Sequence, residues 1–166
     1  MFPLFLDFTG RVVVCVGTGP VADAKARQLA EAGADVRRVP PDSFAPSDLD
    51  GAWFVVAAAT PAVNRCVAEA AAARQLFVNA VDDIPNASAY LGAIVRRGGV
   101  TIAISTDGDA PALAALLREA IDAVLPADLD DWMTTARQQR AAWKRDGVPL
   151  DARKPLLLEA LNRRYV

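Results

Sequence analysis

One stretch decides the fold of this 166-residue chain: Arg11-Val12-Val13-Val14-Cys15-Val16-Gly17-Thr18-Gly19-Pro20-Val21-Ala22. The continuous, largely β-branched run Arg11–Val16 is typical of a parallel strand that is buried on both faces. A helical stretch, Val21–Ala32, follows it, with Pro20 in the first turn, where the missing N–H costs nothing, and Gly33 as the stop. The sequence therefore predicts a strand, a tight glycine turn and a helix.

The turn itself, Gly17–Ala22, follows the G-x-G-x-x-G/A pattern of dinucleotide-binding folds. Gly17 allows the tight turn, Gly19 lets the backbone approach a pyrophosphate, and the small Ala22 permits close packing of helix on strand. The phosphates would lie on the N–H groups of the helix amino terminus. A tight turn without a ligand is the alternative, but the position between strand and helix favours a dinucleotide, and we predict NAD. The predicted cofactor-binding residues are Gly17, Thr18, Gly19, Pro20, Val21, Pro41, Asp42 and Thr60.

Strands and helices alternate through the rest of the first half at the spacing of βαβ units. Strands are predicted over Ala34–Val39, Trp53–Ala59 and Gln75–Asn79, a helix over Ala62–Arg74, and an aperiodic loop over Asp42–Gly51. Right-handed crossovers then give a parallel α/β sheet with helices on both faces.

After Asp82 the pattern changes. Val100–Thr106 alternates with a period of two, as a strand with two different faces does. The next helix, which starts after Asp107–Pro111, has one apolar face. That face consists of Leu113, Leu116, Leu117, Ile121, Val124 and Leu125.

The remainder, Asp128–Val166, is predicted to be helical and charged, with breaks at Gly147–Pro149 and again at Pro155. We therefore expect three parts: a Rossmann-like domain at 1–92, a small α+β dimerisation segment at 93–126, and a helical tail at 127–166. Packing of the central segment on the chain's own sheet is the alternative to dimerisation.

The composition excludes several classes of function. With 53% apolar residues and a net charge of -2, the chain lacks the basic field that nucleic acid or a membrane surface requires. The absence of histidine removes Ser-His and Cys-His catalysis and imidazole ligands, and two cysteines alone make no metal site. No run is apolar enough to span a membrane, and the start Phe2–Asp7 has no basic region of a signal peptide. We expect a cytoplasmic protein without a resident metal.

Nine stretches together resemble the siroheme synthase amino-terminal domain family, which comprises precorrin-2 dehydrogenases with or without sirohydrochlorin ferrochelatase activity. The most specific is Val78-Asn79-Ala80-Val81-Asp82-Asp83. The others are Phe2–Asp7 before Gly10-Arg11, Val21-Ala22, Lys25, Ala32–Ala34, Ala93–Gly98, Val100–Thr106, Pro111–Ala114 and Leu117-Arg118. The resemblance covers about Phe2–Pro126.

The resemblance implies a homodimer whose Rossmann domain binds NAD and whose central segment forms a dimerisation domain and a tetrapyrrole cleft. Precorrin-2 and sirohydrochlorin are then the expected ligands, and NAD-dependent oxidation of the first to the second is the expected reaction. Iron insertion into sirohydrochlorin would be an additional activity. A non-catalytic nucleotide- or tetrapyrrole-binding module with the same fold is the alternative.

Asp82 matches the family's proposed catalytic aspartate. Removing a hydride from a tetrapyrrole also requires the loss of a proton, and a carboxylate can accept it in a chain without histidine. A loop-capping aspartate is the alternative role, and Asp83 is the rival that the residues alone do not separate from Asp82.

Other candidates carry two readings each. Arg96 and Arg97 would bind the acidic side chains of the substrate bidentately, or would form a solvated turn, and Asn79 is a further candidate substrate contact. Arg38 would favour a 2′-phosphate, hence NADP, or lie with Arg37 as a solvated edge residue.

Thr60 and the positions at which this sequence differs from the family concern the cofactor site. Thr60 would face the cofactor or cap the helix that starts at Pro61. The segment between Val39 and Trp53 is shorter than in most relatives, which trims the sheet and is the best argument for a binding module. Ala110 stands where the family has a serine, and Pro61-Ala62 replaces an acidic pair.

Overall fold

The computed structural model describes residues 1–165, and these divide into two compact units. The first unit contains Met1–Leu91 together with the turn Asp107–Asp109. The second contains Gly92–Thr106 and the chain from Ala110 onward. None of the helices within residues 1–165 is long and apolar enough to cross a membrane.

The first unit is a parallel sheet with a helix on each face, as the sequence predicts. Its strands pair in the order β2-β1-β3-β4, so β2 and β4 are the edges and the two central strands are neighbours. The elements are β1 (Val12–Gly17), α1 (Pro20–Glu31), β2 (Asp35–Val39), β3 (Phe54–Ala58), α2 (Pro61–Ala72) and β4 (Phe77–Ala80).

Both faces of this sheet are covered, which explains why its strands are apolar without alternation. On one face Val14, Val16, Val55 and their neighbours pack with α2, and on the other Val13 and Cys15 pack with α1. The Cys15 side chain is fully buried, and burial raises the pKa of its thiol, so it contributes to packing rather than acting as a nucleophile.

The segment between β2 and β3 differs from the aperiodic loop that the sequence predicts. It contains two 3-10 turns, Pro41–Ser43 and Pro46–Leu49. Arg37 of β2 holds the second turn, because its guanidinium donates to the carbonyl oxygens of Asp48 at 3.0 Å and Asp50 at 3.3 Å. The short segment thus returns the chain directly to β3 and leaves β2 at the edge of the sheet.

Two differences from the predicted boundaries have identifiable reasons. Strand β4 starts at Phe77 rather than Gln75, because Gln75 has a left-handed backbone (φ 57°) in the turn that closes α2. Pro155 does not end a helix, because α5 (Leu150–Asn162) runs through it. At this point in the second turn a proline removes only the hydrogen bond to the carbonyl of Asp151.

The second unit begins with an antiparallel hairpin of β5 (Ala93–Arg97) and β6 (Val100–Ile104). The first of these strands is absent from the sequence prediction. Gly98 and Gly99 join them with φ values of 57° and 73°, and a turn with two positive φ angles suits the twist of a tight hairpin.

Helices α3 (Pro111–Val124), α4 (Leu129–Arg145) and α5 complete the second unit. The predicted apolar face of α3 is largely open in the single chain. Leu113 is 48% exposed, Leu116 62% and Val124 79%, whereas Ala114 is the buried residue of this helix. Solvent therefore faces several large aliphatic side chains at adjacent turns of one helix.

Candidate active site

The turn between β1 and α1 is shaped by the absence of two side chains. A Cβ on Gly17 would lie 2.4 Å from the carbonyl oxygen of Ala58 and 3.2 Å from the Cβ of Ala22. Glycine is required there because β3 and α1 both approach the backbone closely. Ala22 is fully buried, as its place in the glycine pattern predicts.

Gly19 is open where Gly17 is crowded. It has φ 86° and ψ -178°, a conformation that is nearly restricted to glycine, and a Cβ there would meet nothing within 4 Å. No side chain of residues 1–165 caps the amino terminus of α1. Open space beside glycine and uncapped helix N–H groups fit a pyrophosphate, so the residues present suit a dinucleotide.

Arg38 is exposed on the edge strand β2, but its guanidinium is engaged within the chain. Its Nη2 lies 2.8 Å from Oδ1 of Asp23, in the first turn of α1, and also donates to the carbonyl oxygen of Gly17 at 3.2 Å. The guanidinium therefore braces the glycine turn, and a carboxylate balances its charge.

The other predicted cofactor residues follow the carboxyl ends of neighbouring strands. Pro41 and Asp42 come just after β2 in a 3-10 turn, with Asp42 exposed. Thr60 comes after β3 at the N-cap position of α2, but its hydroxyl makes no capping bond and has no partner within residues 1–165. The structure thus gives no support to Thr60 as a side-chain cap. All these residues share with Gly17–Val21 the edge where parallel sheets bind ligands.

Asp82 lies just beyond β4 at the same edge. Its backbone is left-handed (φ 54°), its side chain is exposed, and it makes no hydrogen bond or ion pair with any residue of 1–165. A left-handed backbone costs a non-glycine residue roughly 1–2 kcal/mol, although aspartate tolerates it better than most. The chain thus holds a free carboxylate in an unfavourable conformation.

Asp83, the rival carboxylate, is fully engaged. It accepts hydrogen bonds from Nδ2 of Asn64 at 3.1 Å and from Nδ2 of Asn86 at 3.0 and 2.9 Å. Asn64 in turn accepts the backbone N–H of Ala59 on its Oδ1 at 3.1 Å. This Asn64–Asp83–Asn86 network joins the end of β3, helix α2 and the loop after β4. Of the two carboxylates, Asp82 is the one available to a ligand.

The sequence prediction missed Asn64. This residue is only 1% exposed, and it continues the inner face of α2 that Val67, Ala70 and Ala71 form. An asparagine at helical spacing within such an apolar stripe is the signal that could have revealed it, because a buried amide requires partners.

Asn79 sits on β4 opposite Val56 and is 7% exposed. Its Nδ2 donates to the carbonyl oxygen of Ala89 at 2.9 Å, which fixes the orientation of the amide. Its Oδ1 is buried without a hydrogen-bond partner in the described chain. Such an orphaned acceptor costs about 1–3 kcal/mol unless a water or a ligand donates to it.

The two predicted arginines of the second unit differ in availability. Arg97 forms an ion pair with Asp122 at 2.8 Å and donates to the carbonyl oxygen of Leu125 at 3.2 Å, so it ties the hairpin to the end of α3. Arg96, on the opposite face of β5, is exposed and makes no ion pair within residues 1–165. Only Arg96 presents an unengaged guanidinium.

Comparison with known proteins places this geometry in a family. Residues 4–93, which contain the whole parallel sheet and its glycine turn, match the family model described as putative NAD(P)-binding. The chain belongs to this family. Residues 97–123 match a second model, described as sirohaem biosynthesis protein central. The predicted family resemblance and the nicotinamide dinucleotide as cofactor class are confirmed.

Individual relatives agree with the assignment. The chain is 35% identical over 183 positions to "Siroheme synthase" of Photobacterium profundum and 41% identical over 147 positions to "Siroheme synthase 1" of Cronobacter sakazakii. These alignments cover 98% and 76% of this chain, but only 39% and 31% of the relatives, so the chain spans well under half of their length.

A solved structure gives the same fold. The chain named "SirC, precorrin-2 dehydrogenase" superimposes with a TM-score of 0.72 at 23% identity, covering 96% of this chain and 88% of that one. The predicted fold, a Rossmann-like sheet followed by a small segment and a helical tail, is thereby confirmed.

Proposed function

We propose that this chain is an NAD-dependent precorrin-2 dehydrogenase that produces sirohydrochlorin for siroheme biosynthesis. The family match and the siroheme synthase relatives support the reaction class. The observation that carries the proposal is the free carboxylate of Asp82, on the same sheet edge as the glycine turn. One strand separates β1 from β4, which sets their ends about 10 Å apart.

The chemistry divides between the cofactor and this carboxylate. Oxidation of precorrin-2 removes two electrons and two hydrogens, as one hydride and one proton. The dinucleotide, when bound, accepts the hydride. Asp82 accepts the proton and, because it is exposed, passes it to solvent.

The proposed cofactor site consists of Gly17–Val21 for the pyrophosphate, with Pro41, Asp42 and Thr60 on the neighbouring loops. Gly19 gives the phosphates access to the backbone, and the N–H groups at the start of α1 are available to bind them. The unengaged hydroxyl of Thr60 supports a role in contact with the cofactor rather than in capping.

In the second unit, Arg96 is the proposed substrate contact and Arg97 supports the hairpin. In the first unit, Asn79 is a separate proposed contact, argued on its own evidence. Arg96 suits the carboxylates of a tetrapyrrole, because a guanidinium pairs with them bidentately. The buried Oδ1 of Asn79 needs a donor, which an amide or pyrrole N–H of a bound ligand would supply.

We expect preference for NAD over NADP, because Asp23 already balances Arg38 and would repel a 2′-phosphate. Asp23→Asn is expected to shift the ratio of the two dissociation constants toward NADP, as measured by calorimetry with each cofactor. Arg65→Gln, an exposed change on α2, serves as the control and should leave the ratio as it is. An unchanged ratio of the two dissociation constants in Asp23→Asn would show that the Arg38–Asp23 pair does not set the preference between NAD and NADP.

We also propose a homodimer that buries the apolar face of α3. Leu113, Leu116 and Val124 are exposed on one helix, and burial of such side chains is worth about 25 cal/mol per Å². Light scattering should report twice the mass of one chain, and Leu116→Glu should report a single chain. Leu158→Glu, on the exposed side of α5, is the matched control and should remain dimeric. A parent protein that is monomeric at micromolar concentration would contradict the proposal.

The function is tested by anaerobic incubation with precorrin-2 and each nicotinamide cofactor. We expect the absorption spectrum of sirohydrochlorin to appear together with one equivalent of NADH. Binding of NAD without turnover would instead identify a non-catalytic binding module. Iron insertion, the lyase activity predicted from the resemblance, is tested by adding Fe²⁺ to the product, and fractionation of cells tests the predicted cytoplasmic location.

A further inference from the structure

We propose that Asn64 is a positioning residue that holds Asp82 in its working direction. The inference rests on the proposed function of Asp82 as the proton acceptor. Asn64 does not touch Asp82. It acts through the Asn64–Asp83–Asn86 network, which fixes the residue that follows Asp82 in the chain.

The backbone around Asp82 is anchored on both sides. Before it, the N–H of Val81 donates to the carbonyl oxygen of Ala57 at 2.9 Å, which extends the pairing of β4 with β3. After it, the Asp83 carboxylate receives the amides of Asn64 and Asn86. Between two fixed neighbours, Asp82 keeps its left-handed conformation (φ 54°) and its side chain stays exposed. Without the second anchor, the backbone would be free to relax to a commoner conformation.

An asparagine suits the position of this anchor. The side chain must accept one hydrogen bond, from the Ala59 N–H, and donate another, to Asp83, from within the sheet–helix interface. The carboxamide has both an acceptor and donors on one short, planar group. An aspartate would keep the first bond but set a carboxylate against Asp83, and a glutamine would be too long for this buried site.

The experiment is therefore Asn64→Asp, with Asn64→Asp/Asp83→Asn as its rescue. The single variant breaks the link to Asp83. The double variant restores it with the donor reversed, because Asn at 83 then donates to Asp at 64 and still accepts from Asn86. A misplacement of about 1 Å can cost about 10²-fold in rate. We expect kcat for precorrin-2 oxidation to fall about 10- to 100-fold in Asn64→Asp, with NAD affinity unchanged, and to recover in the double variant.

A second measurement needs no activity. Glycine adopts a left-handed backbone without steric cost, so Asp82→Gly relieves strain only where the network enforces that conformation. We therefore measure how much Asp82→Gly changes the Tm of the parent protein and of the Asn64→Asp variant. The change should be more positive in the parent than in the variant, by roughly 2–4 °C. Equal changes in the two backgrounds would overturn the proposal.

The two measurements separate this inference from the proposed function. A parent protein without dehydrogenase activity would refute the function, while the Tm cycle would still test whether Asn64 sets the conformation at Asp82. An active parent with an unchanged kcat in Asn64→Asp would refute the positioning role. A loss of kcat that the double variant does not recover would do the same, because it would assign Asn64 a merely structural role.

Discussion

Asp82→Asn is expected to lower the rate of precorrin-2 oxidation by about 10²–10⁴, the range that general acid–base assistance contributes. The substitution keeps the shape of the side chain and removes its basicity. Because Asp82 has no partner within residues 1–165 and asparagine tolerates a left-handed backbone, the variant should fold with an unchanged or slightly higher Tm. Single-turnover measurement of NADH formation, together with calorimetry for NAD affinity, checks both expectations.

The control for this variant is Asp35→Asn. Asp35 is also exposed, but it is the first residue of β2. It therefore lies at the amino ends of the strands, whereas the glycine turn follows the carboxyl end of β1. The Asp35→Asn variant should oxidise precorrin-2 at the parent rate. If Asp82→Asn also does so, Asp82 is only a loop residue and the proton acceptor must be sought elsewhere.

The second large effect is a contrast between two glycines of one turn. Gly17→Ala should destabilise the fold by about 3 kcal/mol or more, because the new Cβ would overlap the carbonyl of Ala58 on β3. Gly19→Val should instead weaken NAD binding about 100-fold or more while the protein stays folded. Its side chain would enter open space where phosphates need the backbone, and hydrogen bonds to charged groups are worth about 1.5–3 kcal/mol each.

Gly19→Val also carries a backbone cost of order 1–3 kcal/mol, since φ 86° with ψ -178° suits glycine. Gly51→Val is the matched control, because Gly51 has a positive φ (75°) and equally open surroundings but lies in the loop before β3. Thermal unfolding and NAD titration of all three variants distinguish strain from lost contacts. Normal NAD affinity in folded Gly19→Val would contradict the proposed phosphate site.

Much of the fold was predictable because its signals are local. A parallel sheet is predicted by the apolar runs of β1 and β3 and by the glycine turn after β1, without any knowledge of contacts. Strand β5 and the continuous helix through Pro155 were missed because strand pairing and position within the helix decide them. Strand β5 is a short, arginine-bearing segment that becomes a strand through its pairing with β6, and Pro155 is tolerated in α5 because one hydrogen bond is a small loss there.

The site residues likewise differ in how far the sequence alone predicts them. The glycine turn could be predicted because spacing within six residues defines it. The ranking of Asp82 over Asp83 by contacts and the role of Asn64 could not, because both depend on groups that β3, α2 and the loop after β4 bring together. Nor could the pairing of Arg38 with Asp23, which β2 and α1 bring together. The family resemblance favoured Asp82, and the hydrogen bonds of Asp83 supply an independent physical reason.

The position of β2 at the edge of the sheet bears on how copies of this chain meet. A free edge strand is a template for pairing with another chain, and natural proteins oppose such aggregation with charged side chains. Asp35, Arg37 and Arg38 make three of the five residues of β2 charged. For two sheets to merge there, these charged side chains would have to be packed against an incoming strand. The short segment between β2 and β3 leaves β2 as an edge strand, and the charged residues of β2 oppose the pairing of that strand with another chain.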